Sequence, residues 1–343
     1  MQLCLIKFYG KMKLNGGIMS RKKELVNLYQ ESFDDTPEYV KNFFAHYYTK
    51  QRAKCIVENG VIVSSLYLLP KHIRFSNKVL KVFFIVAGST RKEYRNKGYY
   101  KRLLRKTVED CAERNAPFVL LYPTSHQLYE QSGFATVSMV SQFVAHYDGY
   151  DATLAEATSQ DLLDIFNDYL DFDGIRQFRT HKEIKKLIKR WASEDILPEC
   201  YERGGRRCYV ACSSSEIEEA IGDLTVLNGV KKFDAKQFVN YFGDSVPYVM
   251  ARMASPVALL KSIEYNKISG RYCFKIIDDL CPSNNVVLSI CFENKKLKID
   301  FATKYDFEIN CQDLIRLAFG ANLPDCPLNE IIKKKEVVII DKY

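Results

Sequence analysis

The 343-residue sequence has no apolar run of the roughly 20 residues that a membrane-spanning helix needs. Its first segment, MQLCLIKFYG, is too short for a secretory signal and has no small-residue cleavage site. No two cysteines stand at CxxC spacing: the eleven cysteines, an odd number, are scattered, and Cys208, Cys212, Cys273 and Cys291 lie in apolar contexts. Reduced thiols are therefore expected rather than a disulfide framework or a zinc site, and with them a cytoplasmic protein. No Ser-His-Asp order, paired-acid arrangement or metal cluster stands out. His46, His72, His146 and His181 have no carboxylate or metal-ligand spacing around them, and are read as structural or exposed. No metal is expected.

What is present is the composition of a globular protein, 47% hydrophobic and 27% charged, on a chain longer than one domain usually needs, so two or three domains are expected. The formal net charge of +8 favours anionic partners. The charges are interspersed, with dense runs only at Arg21–Lys23, Lys333–Lys335 and 88–104. A polyanionic cofactor accounts for this as well as nucleic acid does. The few tyrosines beside the cations make no extended stacking platform, so no nucleic-acid partner is expected.

Along the chain, LNGGIMSRKKELVNLYQESF places Met19 directly before Ser20, with Lys23 or Glu24 near a capping-box position and an amphipathic pattern through Leu25, Leu28, Tyr29 and Phe33. If translation starts at Met19, residues 1–18 are an upstream extension. EYVKNFFAHYY continues as a second helix. KCIVENGVIVSSLYLLP reads as two β-runs around Asn59-Gly60, the strongest short hairpin signal, because both central residues of a type I′ turn take positive φ. HIRFSNKVLKVFFIVAGST reads as another hairpin with a long second arm. A helix from about Gly98 to Asn115, the strand PFVLLYP, a short helix SHQLYEQSG and the strand FATVSMVSQFVAHY follow.

From Asp151 the pattern restarts. SQDLLDIFNDYLDF and THKEIKKLIKRWASE read as helices, RCYVACSS and EAIGDLTVL as strands, and DAKQFVNYFGD as a helix, with the glycines of ERGGRR (202–207) making a turn between a helix and a strand. The last third offers the helix PVALLKSIEYN, the strands GRYCFKIIDD, NVVLSICFENKKLKIDFAT and DFEIN, the helix CQDLIRLAFG stopped at Gly320, and the strand-forming tail EVVIIDKY. The expected class is α/β with mixed α+β sheets.

The stretch GSTRKEYRNKGYYKRLL, Gly88 to Leu104, carries the chemistry. A β-like apolar run gives way to a burst of cations, a glycine and a leucine-spaced helix. The first turn of a helix has N–H groups without intrahelical partners and about half a positive charge from the dipole, so it can hold a phosphate. Arg95, Lys97 and Gly98 stand where that helix would begin.

This stretch resembles motif A of the GNAT superfamily of N-acetyltransferases, whose Arg/Gln-x-x-Gly-x-Gly/Ala loop takes the acetyl-CoA pyrophosphate on backbone N–H groups. Arg95-Asn96-Lys97-Gly98-Tyr99-Tyr100 matches the cation and the first glycine, and departs where Tyr100 replaces a small residue. LYEQSGF resembles the family's motif B. The resemblance implies acetyl-CoA as cosubstrate, with pantetheine along the backbone of Ala87, Gly88, Ser89 and Thr90, where a bulky residue in place of Gly88 would crowd the thioester. It implies Tyr129 as the general acid that returns a proton to the departing sulfur. A lysine-like amine has a pKa of about 10.4, so only about one in 10³ is nucleophilic at neutral pH, and a base is needed.

The chain from about Met19 to Tyr343 is also similar to the enhanced-intracellular-survival (Eis) family. Beyond the first domain this rests on VPYVMARMASPVALL, FKIIDDLCPSNN and DLIRLAFG in that order. The resemblance implies an active GNAT domain at 19–148, a degenerate GNAT-like domain at 149–253 and a sterol-carrier-like α+β domain at 254–343. It also implies a homo-oligomer, hexameric in relatives, and a C-terminal carboxylate, that of Tyr343, acting as general base. His126, one turn before Tyr129, is the rival base.

The function expected is transfer of acetyl to a primary amine of a small molecule, aminoglycoside- or polyamine-like, or of a peptide lysine (EC 2.3.1 class). Asp34, Asp35 and Glu38 are candidates for meeting a cationic acceptor. The alternative is a protein that binds a lipid or other hydrophobic ligand through its third domain.

Overall fold

A computed structural model of the chain describes residues 12–14, 17–19, 21–214, 216–266, 269–293, 296–321 and 323–340. Its contacts form two compact units, Met1–Leu68 with Ile85–Thr107, and Leu69–Phe84 with Val108–Tyr343. Ser20 and Tyr343 lie outside the described residues.

In the first unit a short antiparallel pair, β1 (Met12–Leu14) and β2 (Gly17–Met19), precedes helices α1 (Arg21–Ser32) and α2 (Pro37–His46). Thr36 starts α2: its hydroxyl accepts the Tyr39 N–H at 3.2 Å, and Pro37 gives up no hydrogen bond in the first turn. Strands β3 (Ala53–Glu58) and β4 (Val61–Phe75) form the expected hairpin, with Asn59 at φ 48° and Gly60 at φ 82°. Tyr29 of α1 and Phe43 and Phe44 of α2 pack together, and the two phenylalanines meet the ring of Tyr67 on β4 edge-on. Glu24 is buried, and its carboxylate accepts the Ile62 N–H of β4. The unit also holds the latter part of β5 (Lys78–Thr90) and the first part of α3 (Tyr99–Glu113).

The second unit continues with β6 (Phe118–Leu121), α4 (His126–Glu130), β7 (Ala135–Val144), β8 (Thr153–Ala155), α5 (Ser159–Tyr169), β9 (Gly174–Phe178), α6 (His181–Ala192), β10 (Leu197–Arg203), β11 (Arg206–Cys212) and β12 (Ile217–Gly222). It is completed by β13 (Gln237–Asn240), β14 (Val246–Met253), α7 (Pro256–Ser262), β15 (Arg271–Ile277), β16 (Val287–Glu293), β17 (Lys296–Phe301), β18 (Phe307–Asn310), α8 (Cys311–Phe319) and β19 (Glu336–Val338). With the parts of β4 and β5 that belong to this unit, the main sheet runs β13-β7-β14-β6-β5-β4-β9-β19. A second sheet runs β12-β11-β10-β8, and a third β17-β16-β15-β18, in which β18 lies parallel to β15.

Local chemistry explains the helix ends. Thr158 with Asp161 and Thr180 with Glu183 form capping boxes at α5 and α6. Asn310 caps α8, which ends at Gly320 in the left-handed conformation, as expected for that glycine.

Four readings of the sequence are corrected. EAIGDLTVL is strand only as far as Gly222; Leu224–Gly229 is a 3₁₀ helix capped by Asp223, whose carboxylate accepts the Thr225 N–H at 3.0 Å. DAKQFVNYFGD is not a helix: Gln237–Asn240 is strand β13, because Phe238 is buried and its segment satisfies the open edge of β7, Phe238 opposite Phe143. HIRF is not a separate strand, since β4 runs unbroken through Pro70. Pro70 falls after Tyr67, the last residue paired with β3, and before His72, the first paired with β9, so its missing N–H breaks neither ladder. The ERGGRR turn joins two strands, not a helix and a strand; Gly204 and Gly205, at φ 57° and 75°, close the β10–β11 hairpin.

Within the second unit Arg252 of β14 and Asp278, just after β15, form an ion pair with no solvent exposure on either side chain. Arg252 also donates to the carbonyls of Ser132, at 2.7 Å, and Met253, at 2.8 Å. Asp278 accepts the N–H groups of Leu280 and Cys281 and the Asn284 amide. Nearby, Phe75, Phe118 and Phe319 pack α8 against the sheet, with ring centroids 5.0–5.9 Å apart.

Removing one partner of such a pair strands a buried charge. Arg252→Leu is expected to lower unfolding free energy by about 3–5 kcal/mol, read as a fall in the denaturant midpoint. Adding Asp278→Leu should recover only part of the loss, because the N–H groups of Leu280 and Cys281 then lose their acceptor.

Candidate active site

In the first unit β5 ends in an irregular stretch. Ala87 takes φ 51°, a conformation uncommon for a residue with a side chain, so the strand is kinked just before Gly88. Ser89 and Thr90 are then fixed from β4. The Ser64 hydroxyl donates to the Ser89 carbonyl at 3.0 Å and lies 3.0 Å from the Thr90 hydroxyl, and the Ser65 and Ser89 hydroxyls are 3.0 Å apart.

Glu31 of α1 holds the exit from the strand. Its carboxylate takes Arg91 Nη1 at 2.7 Å and the Lys92 N–H at 3.1 Å, while Arg91 Nε donates to the Ile62 carbonyl at 2.9 Å. Sequence reasoning missed this anchor, because sixty positions separate its two charges.

Beyond a single 3₁₀ turn at Lys92–Tyr94, the chain reaches α3 through Asn96 at φ 59° and Gly98 at φ 75°. Two left-handed residues within three positions bend the backbone sharply into the helix start, a curvature that suits anion-binding concavities. Nothing lies within 4 Å of the place a β-carbon on Gly98 would occupy, so conformation rather than crowding requires this glycine, and its backbone stays open to approach. The first turn of α3 carries no acid, and Lys92, Arg95, Lys97, Lys101 and Arg102 around it are exposed. Arg95 folds back, Nε donating to the Thr90 carbonyl at 3.0 Å. Lys97 lies over the Tyr94 ring and Arg102 over that of Tyr99. The predicted residues Ala87–Thr90 and Arg95–Tyr100 thus form one local assembly, and Tyr100 turns its phenol onto Gly88.

In the second unit, Tyr129 lies on α4, half-buried, its ring 5.5 Å from that of Phe134. The Tyr129 carbonyl accepts the N–H groups of Ser132 and Phe134, closing the turn at Gly133, where φ is 80°. Three side chains brace that turn: Arg252 on the Ser132 carbonyl, Cys311 packed where a Gly133 side chain would stand, and Gln312 donating to the Phe134 carbonyl. His126 Nε2 is buried with no hydrogen-bond partner among the described residues.

The C-terminal segment is held in the same unit as far as it is described. Strand β19 runs parallel to β9, and Val338, Ile339 and Ile340 are buried. The Ile340 N–H donates to Gln177 Oε1 and its carbonyl accepts the Tyr248 hydroxyl, each at 3.2 Å. Tyr248 packs against Tyr122, the residue directly after β6, and against Tyr241, whose hydroxyl burial holds well above the usual phenol range. The register of β14 on β6 places Tyr248 past Leu121, at the end of β6 from which the chain leads into α4. Tyr343, proposed above as the base, lies outside the described residues.

The lysine run before β19 is a clamp rather than a solvated tract. Lys333 and Lys335 both reach Asp173 and Glu264, at 2.6–3.4 Å. Elsewhere, His72, for which no carboxylate neighbour was expected, has Glu183 at 3.0 Å from Nδ1, and His181 meets the Ser159 hydroxyl at 2.8 Å. Of the candidate acceptor carboxylates, Asp35 is engaged by the Tyr29 hydroxyl at 2.7 Å, and Asp34 and Glu38 are exposed. The ten cysteines among the described residues are all free, and no cluster of metal-ligating side chains occurs among the described residues. No described helix is long and apolar enough to cross a membrane.

Residues 20–137 match the family model of an acetyltransferase (GNAT) domain. A GNAT domain therefore occupies the segment that carries the α3 start, and the family implies an acyl-CoA cosubstrate. The fold is similar over nearly the whole chain to solved structures. A conserved protein of unknown function from Enterococcus faecalis shares 15% identity at TM-score 0.74, covering 94% of this chain and 97% of its own. A GCN5-related N-acetyltransferase from Anabaena variabilis shares 14% at 0.73, covering 94% and 98%. Eis1 from Mycobacterium abscessus shares 11% at 0.68, covering 95% and 98%. At these identities the likeness is one of fold: a mixed α/β, GNAT-like architecture with several sheets. No curated protein sequence matches the chain.

The clamp makes tail anchoring pH-dependent. A hydrogen bond from Lys335, backed by Lys333, holds both Asp173 and Glu264 below the ordinary carboxylate range. Depressed carboxylates contribute stability that is present above their unfolded pKa values, about 4, and lost as pH falls through the folded ones. Hydrogen exchange is expected to show the Val337–Ile340 amides protected at pH 7 and exposed progressively below pH ~4. Lys335→Ala should cut that protection at pH 7 by on the order of tenfold.

Proposed function

We propose that the chain is an acetyl-CoA-dependent N-acetyltransferase acting on a primary amine of a small aminoglycoside- or polyamine-like molecule or of a peptide lysine. The observation that carries this reading is the entry into α3. Left-handed Asn96 and Gly98 open a cation-ringed helix start, whose first turn itself carries no acid, inside the segment that matches a GNAT domain. Those features fit a diphosphate, which needs close backbone approach, unpaired N–H groups and positive charge, and they support Arg95–Tyr100 as its holders. Ala87–Thr90 would align the pantetheine arm. The reading keeps the organisation that the sequence resemblance implies, 19–148, 149–253 and 254–343, the last presenting the C-terminus.

Acetyl-CoA supplies an acetyl thioester. The acceptor amine must arrive unprotonated: its nitrogen lone pair attacks the carbonyl carbon, the carbon–sulfur bond breaks, and the electron pair leaves on sulfur. Tyr129 serves as the acid that delivers a proton to that sulfur. The Tyr343 carboxylate takes the proton the nitrogen loses, with His126 as the rival. A free carboxylate is a weak base for an ammonium unless its surroundings are dry or a water relays the proton. The buried Val338–Ile340 segment supports the first condition by bringing the tail, up to three residues before Tyr343, into an apolar setting.

The test is release of free thiol from acetyl-CoA across an amine panel. Tyr129→Phe is expected to lower kcat by about 10²–10⁴-fold while acetyl-CoA affinity, measured by calorimetry, is retained. Removal of residues 341–343 should do likewise, and turnover that survives this truncation unchanged assigns the base to His126 or water. Gly98→Val, which must adopt an unfavourable φ and crowds the open backbone, should weaken acetyl-CoA binding itself. Absence of any heat with acetyl-CoA sinks the reading.

A further inference from the structure

Gly88 and Gly98 are glycines for different reasons. Gly98 has a positive φ and open space around it, whereas Gly88 is not among the residues at positive φ. What forbids a side chain at Gly88 is Tyr100. A β-carbon there would lie 2.5 Å from the Tyr100 hydroxyl oxygen and 2.8 and 2.9 Å from two of its ring carbons. The phenol therefore fills the space that a side chain on the strand would have taken. The strand cannot withdraw, because Ser64 and Ser65 fix the next two residues from β4. Nor does Tyr100 share the outward path of its neighbour. Tyr99, about 100° around the helix, meets Tyr94 edge-on and lies under Arg102 at the cationic mouth, while Tyr100 turns to β5.

We propose that Tyr100 is a specificity-determining residue: its phenol closes the acyl end of the coenzyme groove beside Gly88 and restricts the transferred group to acetyl size. The inference rests on the coenzyme reading above, which places the thioester along Ala87–Thr90. A two-carbon acyl group needs little room beyond the thioester carbonyl. Each further methylene has to displace a ring wedged between α3 and a strand that β4 holds in place. One methylene that a pocket cannot accommodate changes discrimination by about 10–200-fold. A large residue at the second position of α3 and an absent side chain on the strand are thus two halves of one device.

The experiment is calorimetric binding of acetyl-CoA and hexanoyl-CoA, without acceptor, to the wild-type chain, Tyr100→Ala and Tyr100→Phe. The wild-type chain and Tyr100→Phe, which keeps the ring, are expected to prefer acetyl-CoA. Tyr100→Ala should reduce the preference by about 10–100-fold, mainly by tightening hexanoyl-CoA binding. An unchanged ratio in Tyr100→Ala, with acetyl-CoA still bound, overturns the inference and leaves the coenzyme reading standing. No heat with either ligand on the wild-type chain overturns both. Melting temperatures check the contact itself. Gly88→Ala should destabilise the wild-type chain and be close to neutral in the Tyr100→Ala background; equal effects in both would show that the two residues do not compete for one space.

Discussion

The pairing of Arg252 with Asp278 is the constraint on which most of the second unit depends. Neither charge touches water, so each must be satisfied by protein groups, and those groups come from places far apart in the chain. Arg252 takes the Ser132 carbonyl behind α4, and Asp278 gathers the backbone after β15. The pair therefore couples the turn that carries Tyr129 to the sheet formed by the last third of the sequence. Buried ion pairs seldom add net stability over a well-packed apolar equivalent, because desolvation cancels the attraction. What this one does supply is direction. A guanidinium with its hydrogen bonds made in three directions permits few alternative arrangements of the turn.

The same logic governs the first unit with weaker means. Glu31 and Arg91 fasten the strand exit, serine hydroxyls fasten its last residues, and only then does the chain enter the left-handed bend before α3. In the proposed reading this loop offers backbone N–H groups to an anion, and having to order it at the moment of binding would cost affinity. The anchors here, Glu31, Ser64 and Ser65, lie on α1 and β4 rather than on the loop itself.

Much of this was legible in sequence where the determinant was local. Asn59-Gly60 specified a hairpin through φ alone, Gly320 a helix stop, and the cation-glycine-leucine pattern the start of α3. Segments decided by distant partners were misread. Gln237–Asn240 became a strand because β7 had an unpaired edge, not because of its own pattern, and Pro70 passed through β4 because of where the neighbouring ladders end. The lysines at 333 and 335 showed in sequence only as a dense run of charge, since the acids that hold them lie about seventy and 160 positions away. Tyr100 was visible only as a departure from a motif. That it answers the missing side chain of Gly88 required the two to be seen in contact.

The parallel pairing of β19 with β9 also has a kinetic side. Ile340 and Gln177 are 163 positions apart, so their hydrogen bond closes a very long loop, and the entropy of that closure is repaid only once the intervening strands are in place. Contacts of this kind form late in folding and, when the chain breathes, open early. A protein arranged this way would assemble its sheets first and seat its final strand afterwards, so that docking of the C-terminal strand is the last event of folding rather than one of its causes.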